Sequence, residues 1–277
     1  MATSSLVNGS QFDVLVIGGG AAGLYAALCL DDQLTVGLLT KDALTISASD
    51  WAQGGIAAAI APDDSPKLHV EDTLNAGAGL CDPAAVSLLV HTAQDCITDL
   101  LDLNVGFDRH EGNLAMTLEA AHSRRRVLHA ADTTGRAIVA QLAAAVVARQ
   151  NIEVFEQVFV LDLWLEPTTG ACRGVQAVQG DQVAWVRAGA VVLATGGGGQ
   201  VYAKTTNPVA STGDGVAIAG RAGAELRDLE FVQFHPTALM VPDAPHFLIS
   251  EAVRGEGAHL VDHRGDRFAF NYHPQGE

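Results

Sequence analysis

The sequence has few basic residues: 16 lysines and arginines stand against 32 acidic residues among 277, a formal net charge of -16. This surplus of negative charge argues against nucleic acid or an anionic membrane surface as a partner. The chain contains no run of about 18 apolar residues, the length that a membrane-spanning helix needs. The first eleven residues lack the basic and apolar regions of a secretory signal. We therefore expect a soluble, cytoplasmic protein with no nucleic-acid or membrane partner.

Cysteine is also scarce, and its four copies stand far apart as Cys29, Cys81, Cys96 and Cys172. None forms the CxxC pair typical of a zinc site, so we predict neither a disulfide framework nor a metal site. We expect buried thiols in a reducing compartment. The composition, 48% hydrophobic against 17% charged, is sufficient for a substantial core.

A strand, a glycine turn and a helix start are predicted at 12–25. Residues 14–17 form a continuous apolar run, typical of a parallel strand buried on both faces. Gly18, Gly20 and Gly23 then give GxGxxG, which permits a sharp turn, close approach to a diphosphate and tight packing of the helix on the strand. N–H groups at the helix start would face the anion. The motif predicts an ADP-containing cofactor; the alternative is a glycine-rich turn in another α/β protein.

The second predicted strand, 34–40, does not end in the acidic residue that holds the ribose in nicotinamide-binding Rossmann units. It ends instead with Thr40 and Lys41. This departure weakens an NAD interpretation and leaves a cation near the place of a ribose or phosphate. The alternative for Lys41 is a solvated lysine at the end of a strand.

A second glycine turn follows a buried strand at 190–199, AVVLATGGGG. Two separately placed glycine turns are typical of FAD-dependent oxidoreductases, so FAD is favoured over NAD. Thr-Gly-Asp-Gly at 212–215 opens a predicted helix over 216–222, and Asp214 is a candidate cap of that helix.

Residues 45–59 are too rich in small residues for an ordinary packed helix, and Gln53, Gly54 and Gly55 let the backbone pass close to a flat group. AQGGI, together with the earlier GGGAAG, resembles the succinate dehydrogenase, fumarate reductase and L-aspartate oxidase flavoproteins. In that family this segment runs along FAD to its isoalloxazine ring. Respiratory members attach the flavin through a histidine at the position of Ala48, so the resemblance implies non-covalent FAD.

The same resemblance implies which residues contact FAD. The backbone near Phe159 and Val160 would pass the adenine, and Asp214 would lie at the cofactor. The predicted cofactor-binding residues are Gly18, Gly19, Gly20, Ala21, Ala22, Gly23, Lys41, Ala48, Ser49, Asp50, Trp51, Ala52, Gln53, Gly54, Gly55, Phe159, Val160 and Asp214.

The stretch 118–136 holds two histidines and four arginines in a strongly acidic protein. A run such as 124–126 is usually a solvated face, and its role stays open here. The segment resembles the L-aspartate oxidase pattern, in which a glutamate precedes small-small-His-Ser and the arginines. By that resemblance Glu119 would face the α-ammonium group of the substrate, since a carboxylate selects an amino group and repels a plain dicarboxylate. The alternative is a surface glutamate.

Two further segments resemble the substrate-contacting parts of the family. His235, fixed before a proline and flanked by aromatic residues, suits hydrogen bonding to a substrate carboxylate. In 247–257, Ser250 stands where a threonine is usual and Glu251 keeps the acid. The resemblance makes all three candidate catalytic residues with Glu119. Arg254 is either a partner of Glu251 or a substrate contact.

The predicted fold class is α/β: a Rossmann-like FAD-binding domain with an antiparallel β-insertion, followed by the start of an α+β capping domain. We place the FAD-binding domain at 1–230, incomplete, and the beginning of the capping domain at 231–277. The resemblance covers the whole chain but about half of a typical family member. It implies an N-terminal part whose catalytic arginine would lie beyond the last residue. The predicted helices and strands of the middle section are 66–77, 82–103, 132–149, 152–155, 158–165, 174–178 and 183–186.

The resemblance implies an enzyme that oxidises L-aspartate to iminoaspartate, with O2 or fumarate as electron acceptor. This is the first step towards quinolinate and NAD, so a functional link to quinolinate synthase is expected. One alternative is a soluble fumarate reductase or succinate dehydrogenase flavoprotein subunit, against which Glu119 and Ala48 argue. The other is a non-catalytic FAD-binding fragment, because activity of this length of chain alone is in doubt.

Overall fold

The structure is a computed structural model that describes residues 5–235, 237–244, 246–249, 253, 257–274 and 276. In this described part no helix combines the length and the apolar character that crossing a membrane would require. The described residues form two compact units. The first draws on Met1–Ala52, Leu100–Gly106 and Gly135–Phe234. The second draws on Gln53–Asp99, Phe107–Thr134 and His235–Glu277.

Five α-helices are described, together with two short 3-10 turns at Gly199–Val201 and Phe268–Asn271. The helices agree with the predicted ones to within a few residues, since each follows a cap, a proline or a glycine turn in the sequence. They are α1 Ala21–Leu28, α2 Pro66–Ala76, α3 Pro83–Asp102, α4 Thr134–Ala148 and α5 Asp214–Arg221. Asp82 caps α3, because its carboxylate accepts hydrogen bonds from the N–H groups of Ala84 and Ala85 at 2.9 and 3.2 Å.

The described strands divide into one large sheet and three small ones. They are β1 Gln11–Ile17, β2 Val36–Leu39, β3 Ile56–Ala57, β4 Arg109–His110, β5 Asn113–Leu114, β6 Met116–Thr117, β7 Val127–Leu128, β8 Ile152–Phe155, β9 Val158–Leu165, β10 Cys172–Gln179, β11 Gln182–Leu193, β12 Ala238–Leu239 and β13 Phe247–Leu248.

The large sheet belongs to the first unit and has the strand order β8-β2-β1-β11-β10-β9. Its first four strands are parallel, and Ile17 is in register with both Leu39 and Leu193. Leu15 and Val16 are fully buried, as expected for a central parallel strand covered on both faces. The carboxyl ends of β1, β2 and β11 therefore lie level with one another at one edge of the sheet.

The antiparallel part of this sheet confirms the predicted β-insertion. β9 and β10 pair antiparallel, and so do β10 and β11. The sequence predicted a strand at 183–186 and a separate strand leading into the second glycine turn. The structure has instead one 12-residue strand, β11, whose first half, 182–187, pairs with β10 and whose second half, 187–193, pairs with β1. One strand thus joins the antiparallel ribbon to the parallel sheet.

The turn from β1 into α1 depends on two glycines. Gly18 has φ of +119°, and a Cβ added there would lie 2.2 Å from the carbonyl oxygen of Ala194. A Cβ added at Gly23, on α1, would lie 2.0 Å from the carbonyl oxygen of Gly18. Both distances are far below van der Waals contact with backbone that cannot move aside. The sharp turn and the tight helix–strand packing predicted for these glycines are both observed.

The second unit contains a three-stranded antiparallel sheet, β3-β7-β6, and two hairpins, β4-β5 and β12-β13. These strands have only two residues each, so α2 and the part of α3 up to Asp99 are the longest described elements of the unit. The predicted boundary at 230/231 stays a prediction.

The prediction that the cysteines are buried is wrong. All four are free, but Cys29 is exposed and Cys81, Cys96 and Cys172 are partly exposed. Cys29 is the C-cap of the short helix α1 and lies at the surface.

Replacing Gly23 by alanine should destabilise the first unit by about 2–3 kcal/mol, because the new methyl group meets the Gly18 backbone and the Ala194 side chain. Urea unfolding followed by circular dichroism measures this. Gly106→Ala is the matched control: it lies in the same unit, and a Cβ there meets nothing within 4 Å. Equal midpoints for the two variants would contradict the packing argument.

Candidate functional site

A cleft of about 330 Å³ opens in the first unit at the carboxyl ends of its parallel strands. Ile17, Leu39 and Leu193, the last residues of β1, β2 and β11, all line it. In the large sheet β1 lies between β2 and β11, so later strands of the chain extend the sheet on both of its sides. Ligands of open α/β sheets bind at such a switch point. The volume lies at the lower end of the range for small-molecule sites.

The floor of the cleft is the glycine turn at the start of α1. Gly18, Gly19, Gly20 and Ala22 line it. Gly20 is the N-cap of α1 and offers no side-chain cap, so the positive end of the helix dipole is available to an anion. Ser49 closes one side, because its Oγ accepts a hydrogen bond from the Ala21 N–H at 3.1 Å. The predicted phosphate-binding geometry is therefore present in the described residues.

Lys41 and Asp214 form an ion pair on the wall of the cleft. The Lys41 ammonium also donates to Thr212 Oγ1 at 2.6 Å and lies 5.9 Å from the centre of the Phe159 ring. Burial alone would raise the pKa of Asp214, but hydrogen bonds from Lys41 and Thr212 and the lysine charge lower it below its usual value. Lys41 is thus neither a solvated lysine nor an isolated cation. Asp214 begins α5, after the left-handed Gly213, and does not act as its N-cap.

The structure brings ten of the predicted cofactor-binding residues together in this cleft: Gly18, Gly19, Gly20, Ala22, Lys41, Ala48, Ser49, Phe159, Val160 and Asp214. Ala21, Gly23, Asp50, Trp51 and Ala52 belong to the same unit but do not line it. Gln53, Gly54 and Gly55 belong to the second unit.

Sequence reasoning left several lining residues out of its site list. Thr195 and Gly196 come from the second glycine turn, whose position was recognised without assigning its residues. A Cβ added at Gly215 would lie 1.7 Å from Thr195 Oγ1, so that turn packs directly on α5. Pro208, Ala210 and Ser211 line the cleft from a loop that no sequence pattern marked. The remaining lining residues not predicted are Thr40, Ile46, Ser47, Val158, Ala194 and Ile218.

The AQGG segment is held by close backbone contacts within each unit. In the first unit the Gly135 N–H donates to the Ala52 carbonyl at 3.1 Å. In the second, Thr134 Oγ1 donates to the Gly54 carbonyl at 2.5 Å, and a Cβ at Gly55 would lie 2.2 Å from the Leu128 carbonyl oxygen. Gln53 Oε1 is buried and has no hydrogen-bond partner among the residues that the structure describes. A buried acceptor without a partner is costly, so a donor group of a ligand is expected there.

Glu119 lies in the second unit beside this segment. Its Oε1 is 3.8 Å from the position of a Cβ built on Gly54. The side chain is exposed, and the Glu119 carbonyl accepts a hydrogen bond from the His122 N–H at 3.2 Å, which closes a turn. The structure therefore places the predicted selector of an ammonium group next to the backbone predicted to carry the flavin.

The role of the arginine run 124–126 is open in the sequence, and the structure buries Arg126, whose side chain is 0% exposed. Its guanidinium donates to both oxygens of Asp64, at 2.8 and 2.9 Å, and to Asp72 Oδ2 at 2.7 Å. Arg124 and Arg125 are exposed. The arginine is buried because two carboxylates from the region around α2 neutralise it and use its fork-shaped donors.

Two histidines adjoin this buried arginine. The rings of His69 and His122 have centres 5.6 Å apart, and His122 Nδ1 lies 3.4 Å from Arg126 Nη1. Burial, the nearby guanidinium and His122 together lower the pKa of His69 below its usual value. His69 is therefore a neutral core residue at neutral pH.

A carboxylate–histidine pair, Asp108 and His129, lies in the same unit. Asp108 Oδ2 accepts from the Ala131 N–H at 2.9 Å and is 3.0 Å from His129 Nδ1. The Ala131 hydrogen bond, outweighing partial burial, lowers the pKa of Asp108, and His129 adds to the effect. This pair was not recognised from the sequence.

His235 is partly buried, and its Nδ1 lies 2.9 Å from the Thr237 carbonyl oxygen and 3.2 Å from the Thr237 N. Its predicted contact with a substrate carboxylate stays a prediction. Ser250, Glu251 and Arg254 lie outside the described residues, so their predicted roles stay predictions.

A glycine turn at the level carboxyl ends of parallel strands, a second glycine turn beside it and an antiparallel ribbon in the same sheet define a dinucleotide-binding flavoprotein domain. The model of the FAD binding domain family matches residues 13–277. The chain belongs to that family, so FAD is the cofactor for which the cleft is built. One feature of the cleft fits it: the start of α1 lies at the cleft floor, and its N-cap, Gly20, has no side chain to block a diphosphate.

Among curated proteins, the chain is 69% identical to an L-aspartate oxidase from Nostoc sp. over 97% of its own length and 46% of that protein. It is 64% identical to an L-aspartate oxidase from Synechocystis sp., over 97% and 48%. Among solved structures, an E. coli quinol fumarate reductase matches with a TM-score of 0.89 and 33% identity, over 98% and 47% of the two chains. The chain thus spans about half the length of the relatives it matches. The resemblance to the succinate dehydrogenase, fumarate reductase and L-aspartate oxidase flavoproteins is confirmed.

The buried Arg126 pair predicts a pH-dependent stability. Burial alone would raise the pKa of Asp72, but hydrogen bonds from Ser123 and Arg126 and the arginine charge lower it from 3.8 to about 2. A lowered folded-state pKa stabilises the fold above the unfolded value and loses this effect as pH falls through the folded value. Asp72→Asn should therefore lower the free energy of unfolding by about 2 kcal/mol near neutral pH.

The difference between the two proteins should shrink to about half by about pH 3, where unfolded Asp72 is protonated. Urea unfolding of both proteins over that pH range measures it. Asp95→Asn, on α3, is a control that leaves the Arg126 cluster intact. A difference that stays constant down to about pH 3 would show that ionisation of Asp72 does not contribute.

Proposed function

We propose that this chain binds FAD non-covalently and carries residues for the oxidation of L-aspartate to iminoaspartate. The observation that carries the proposal is Glu119, a carboxylate 3.8 Å from the Cβ position of Gly54 within the AQGG segment. The names of the relatives from Nostoc and Synechocystis support it. Because the chain spans about half of those relatives, the activity, substrate and acceptor of a whole protein belong to the proposal.

The proposal of non-covalent binding rests on Ala48. This residue lines the cleft and occupies the position at which respiratory members link the flavin through histidine. A methyl group has no nucleophilic atom, so it cannot form the bond. Gly20 supports close binding of the diphosphate, because it has no side chain between its backbone and the cleft. The nearest protein atom to an added Cβ there is Ser49 Oγ at 3.2 Å.

Aspartate oxidation removes two electrons and two protons and converts a C–N single bond into C=N. FAD supplies the two-electron acceptance when it is bound. The chain's own groups bind and orient the substrate: Glu119 attracts the α-ammonium, while His235 and Ser250 hold carboxylates. Glu251 completes the proposed set beside Ser250. A carboxylate beside the substrate amine attracts the ammonium group of aspartate and repels a plain dicarboxylate, so its charge favours aspartate.

A fumarate reductase or succinate dehydrogenase flavoprotein is the second candidate, because solved structures of that kind resemble the chain with a TM-score of up to 0.89. Glu119 argues against it. In those enzymes a neutral amide typically takes its place, and an exposed carboxylate would repel the second carboxylate of succinate.

Several finer points belong to the same proposal. The electrons pass to O2 or fumarate, the product is handed towards quinolinate synthase, and the protein works in the cytoplasm. Residues 231–277 begin a substrate-capping domain. The composition supports only the expected lack of a nucleic-acid or anionic membrane partner, since a net charge of -16 disfavours anionic surfaces.

The purified chain should carry flavin absorption bands, and acid precipitation should release all of the flavin into the supernatant. Gly20→Val should lose most of the flavin, because two added methyl groups intrude where the diphosphate approaches. Gly106→Ala is the control that should keep it. A colourless wild-type protein that cannot be reconstituted with FAD, or flavin that stays with the precipitate, would contradict non-covalent binding.

Glu119→Gln should lower kcat/KM for L-aspartate by about a hundredfold while fumarate reduction is retained, because one charge-assisted contact to the ammonium is lost. Turnover is measured on this chain and on a fusion that continues it with the remaining half of the Nostoc relative. Glu111→Gln, an exposed acid in the same unit, is the matched control. Equal loss of both activities in Glu119→Gln would overturn the assignment of the ammonium contact.

A further inference from the structure

The turn that carries Glu119 is held in an unusual backbone conformation. The hydrogen bond that closes this turn joins the His122 N–H to the Glu119 carbonyl at 3.2 Å. Ala121, within the turn, has φ of +67°. A non-glycine residue in the left-handed region costs free energy and persists where neighbouring contacts fix the backbone. The contacts that fix this turn should therefore be identifiable next to it.

Those contacts come from one carboxylate oxygen on α2. Asp72 Oδ2 accepts three hydrogen bonds: from the Ser123 N–H at 2.9 Å, from Ser123 Oγ at 2.8 Å and from Arg126 Nη1 at 2.7 Å. Ser123 directly follows the Glu119–His122 turn. The Asp72 carboxylate thus links the residue after the turn to α2, through both the backbone N–H and the side-chain hydroxyl of Ser123.

The carboxylate itself is immobilised from behind. Arg126 is completely buried, and its Nε and Nη2 donate to the two oxygens of Asp64 at 2.8 and 2.9 Å. The Arg126 carbonyl also accepts a hydrogen bond from the Ala58 N–H at 2.9 Å, next to β3. A buried guanidinium paired with two carboxylates resists displacement, because any shift leaves buried charge without a partner. The anchor of the turn is therefore rigid.

Rigidity matters because the exposed end of the turn carries the Glu119 carboxylate past Gly54. Nothing in the described contacts of the Glu119 side chain fixes its position other than the backbone of this turn. A displacement of about 1 Å at a binding group is enough to cost a large part of its effect.

We propose that Asp72, acting through Ser123, is a positioning residue that aims Glu119 and so sets the preference for an amino dicarboxylate over a plain dicarboxylate. This inference rests on the proposed function, in which Glu119 binds the ammonium group. It assigns a role in this selection to a residue on α2 that is remote in sequence from Glu119.

The first test measures the tie itself in this chain. Amide hydrogen exchange at His122 and Ser123 should speed about tenfold in Asp72→Asn, because a neutral amide is a weaker acceptor than a carboxylate. Thr98→Ala removes an exposed hydroxyl hydrogen bond on α3 and should leave exchange at both amides unchanged. Unchanged exchange in Asp72→Asn would overturn the proposal.

The second test uses Ser123→Ala, which removes one exposed hydroxyl bond and keeps the Arg126–Asp72 pair. In the fusion with the Nostoc relative, KM for L-aspartate should rise about fivefold. The inhibition constant of succinate, kcat and the FAD content should all stay within about twofold of the wild type. A merely structural role would weaken aspartate, succinate and FAD together, and that outcome would overturn the proposal, as would an unchanged KM.

The two proposals fail in different ways. If Glu119→Gln leaves the preference for aspartate over succinate unchanged, the proposed ammonium contact is wrong. If Glu119→Gln removes that preference while Ser123→Ala leaves it intact, the contact stands and the positioning role of Asp72 is wrong.

Discussion

A contact between bare backbones determines the nucleotide cleft. The carbonyl oxygens of Ala194 and Gly18 lie 2.2 and 2.0 Å from the points where side chains of Gly18 and Gly23 would begin. The end of β11, the glycine turn and α1 therefore touch without side chains between them. Since Ile17, Leu39 and Leu193 end their strands in register, this contact sets the depth at which the start of α1 lies below the sheet edge. A ligand at that edge meets N–H groups at fixed positions.

The cleft presents dipoles, in place of free cations, to its anionic ligand. The chain carries a net charge of -16, and the one lysine lining the cleft is paired with Asp214. The pair is nearly neutral, so its field falls off quickly. The uncapped start of α1 supplies positive potential without any charged side chain. An acidic protein can in this way bind a dinucleotide tightly while still repelling polyanions and anionic surfaces.

The sequence predicted those parts of the molecule that local physics dictates. The GxGxxG motif spans only six residues, and its glycines are required for steric reasons. Caps and prolines likewise mark helix starts locally, so α1 to α5 and the cleft floor were predictable. Arg126 was not, because its partners Asp64 and Asp72 lie 62 and 54 positions away. A run of arginines looks the same in sequence whether it is solvated or paired. The loop containing Pro208 and Ser211 was missed for the same reason: its place at the cleft follows from tertiary packing.

The arginine run also poses a problem that the structure resolves. A carboxylate meant to select an ammonium ion would lose its function if a neighbouring guanidinium neutralised it, and three arginines follow Glu119 closely in sequence. Arg126 is turned inward to Asp64 and Asp72, and Arg124 donates to the carbonyl oxygens of Asp63 and Ser123. Among the ion pairs of the described residues, none includes Glu119. The buried cluster therefore serves two purposes at once: it fixes the turn, and it keeps the Arg126 guanidinium paired with Asp64 and Asp72 and not with the carboxylate that the turn presents.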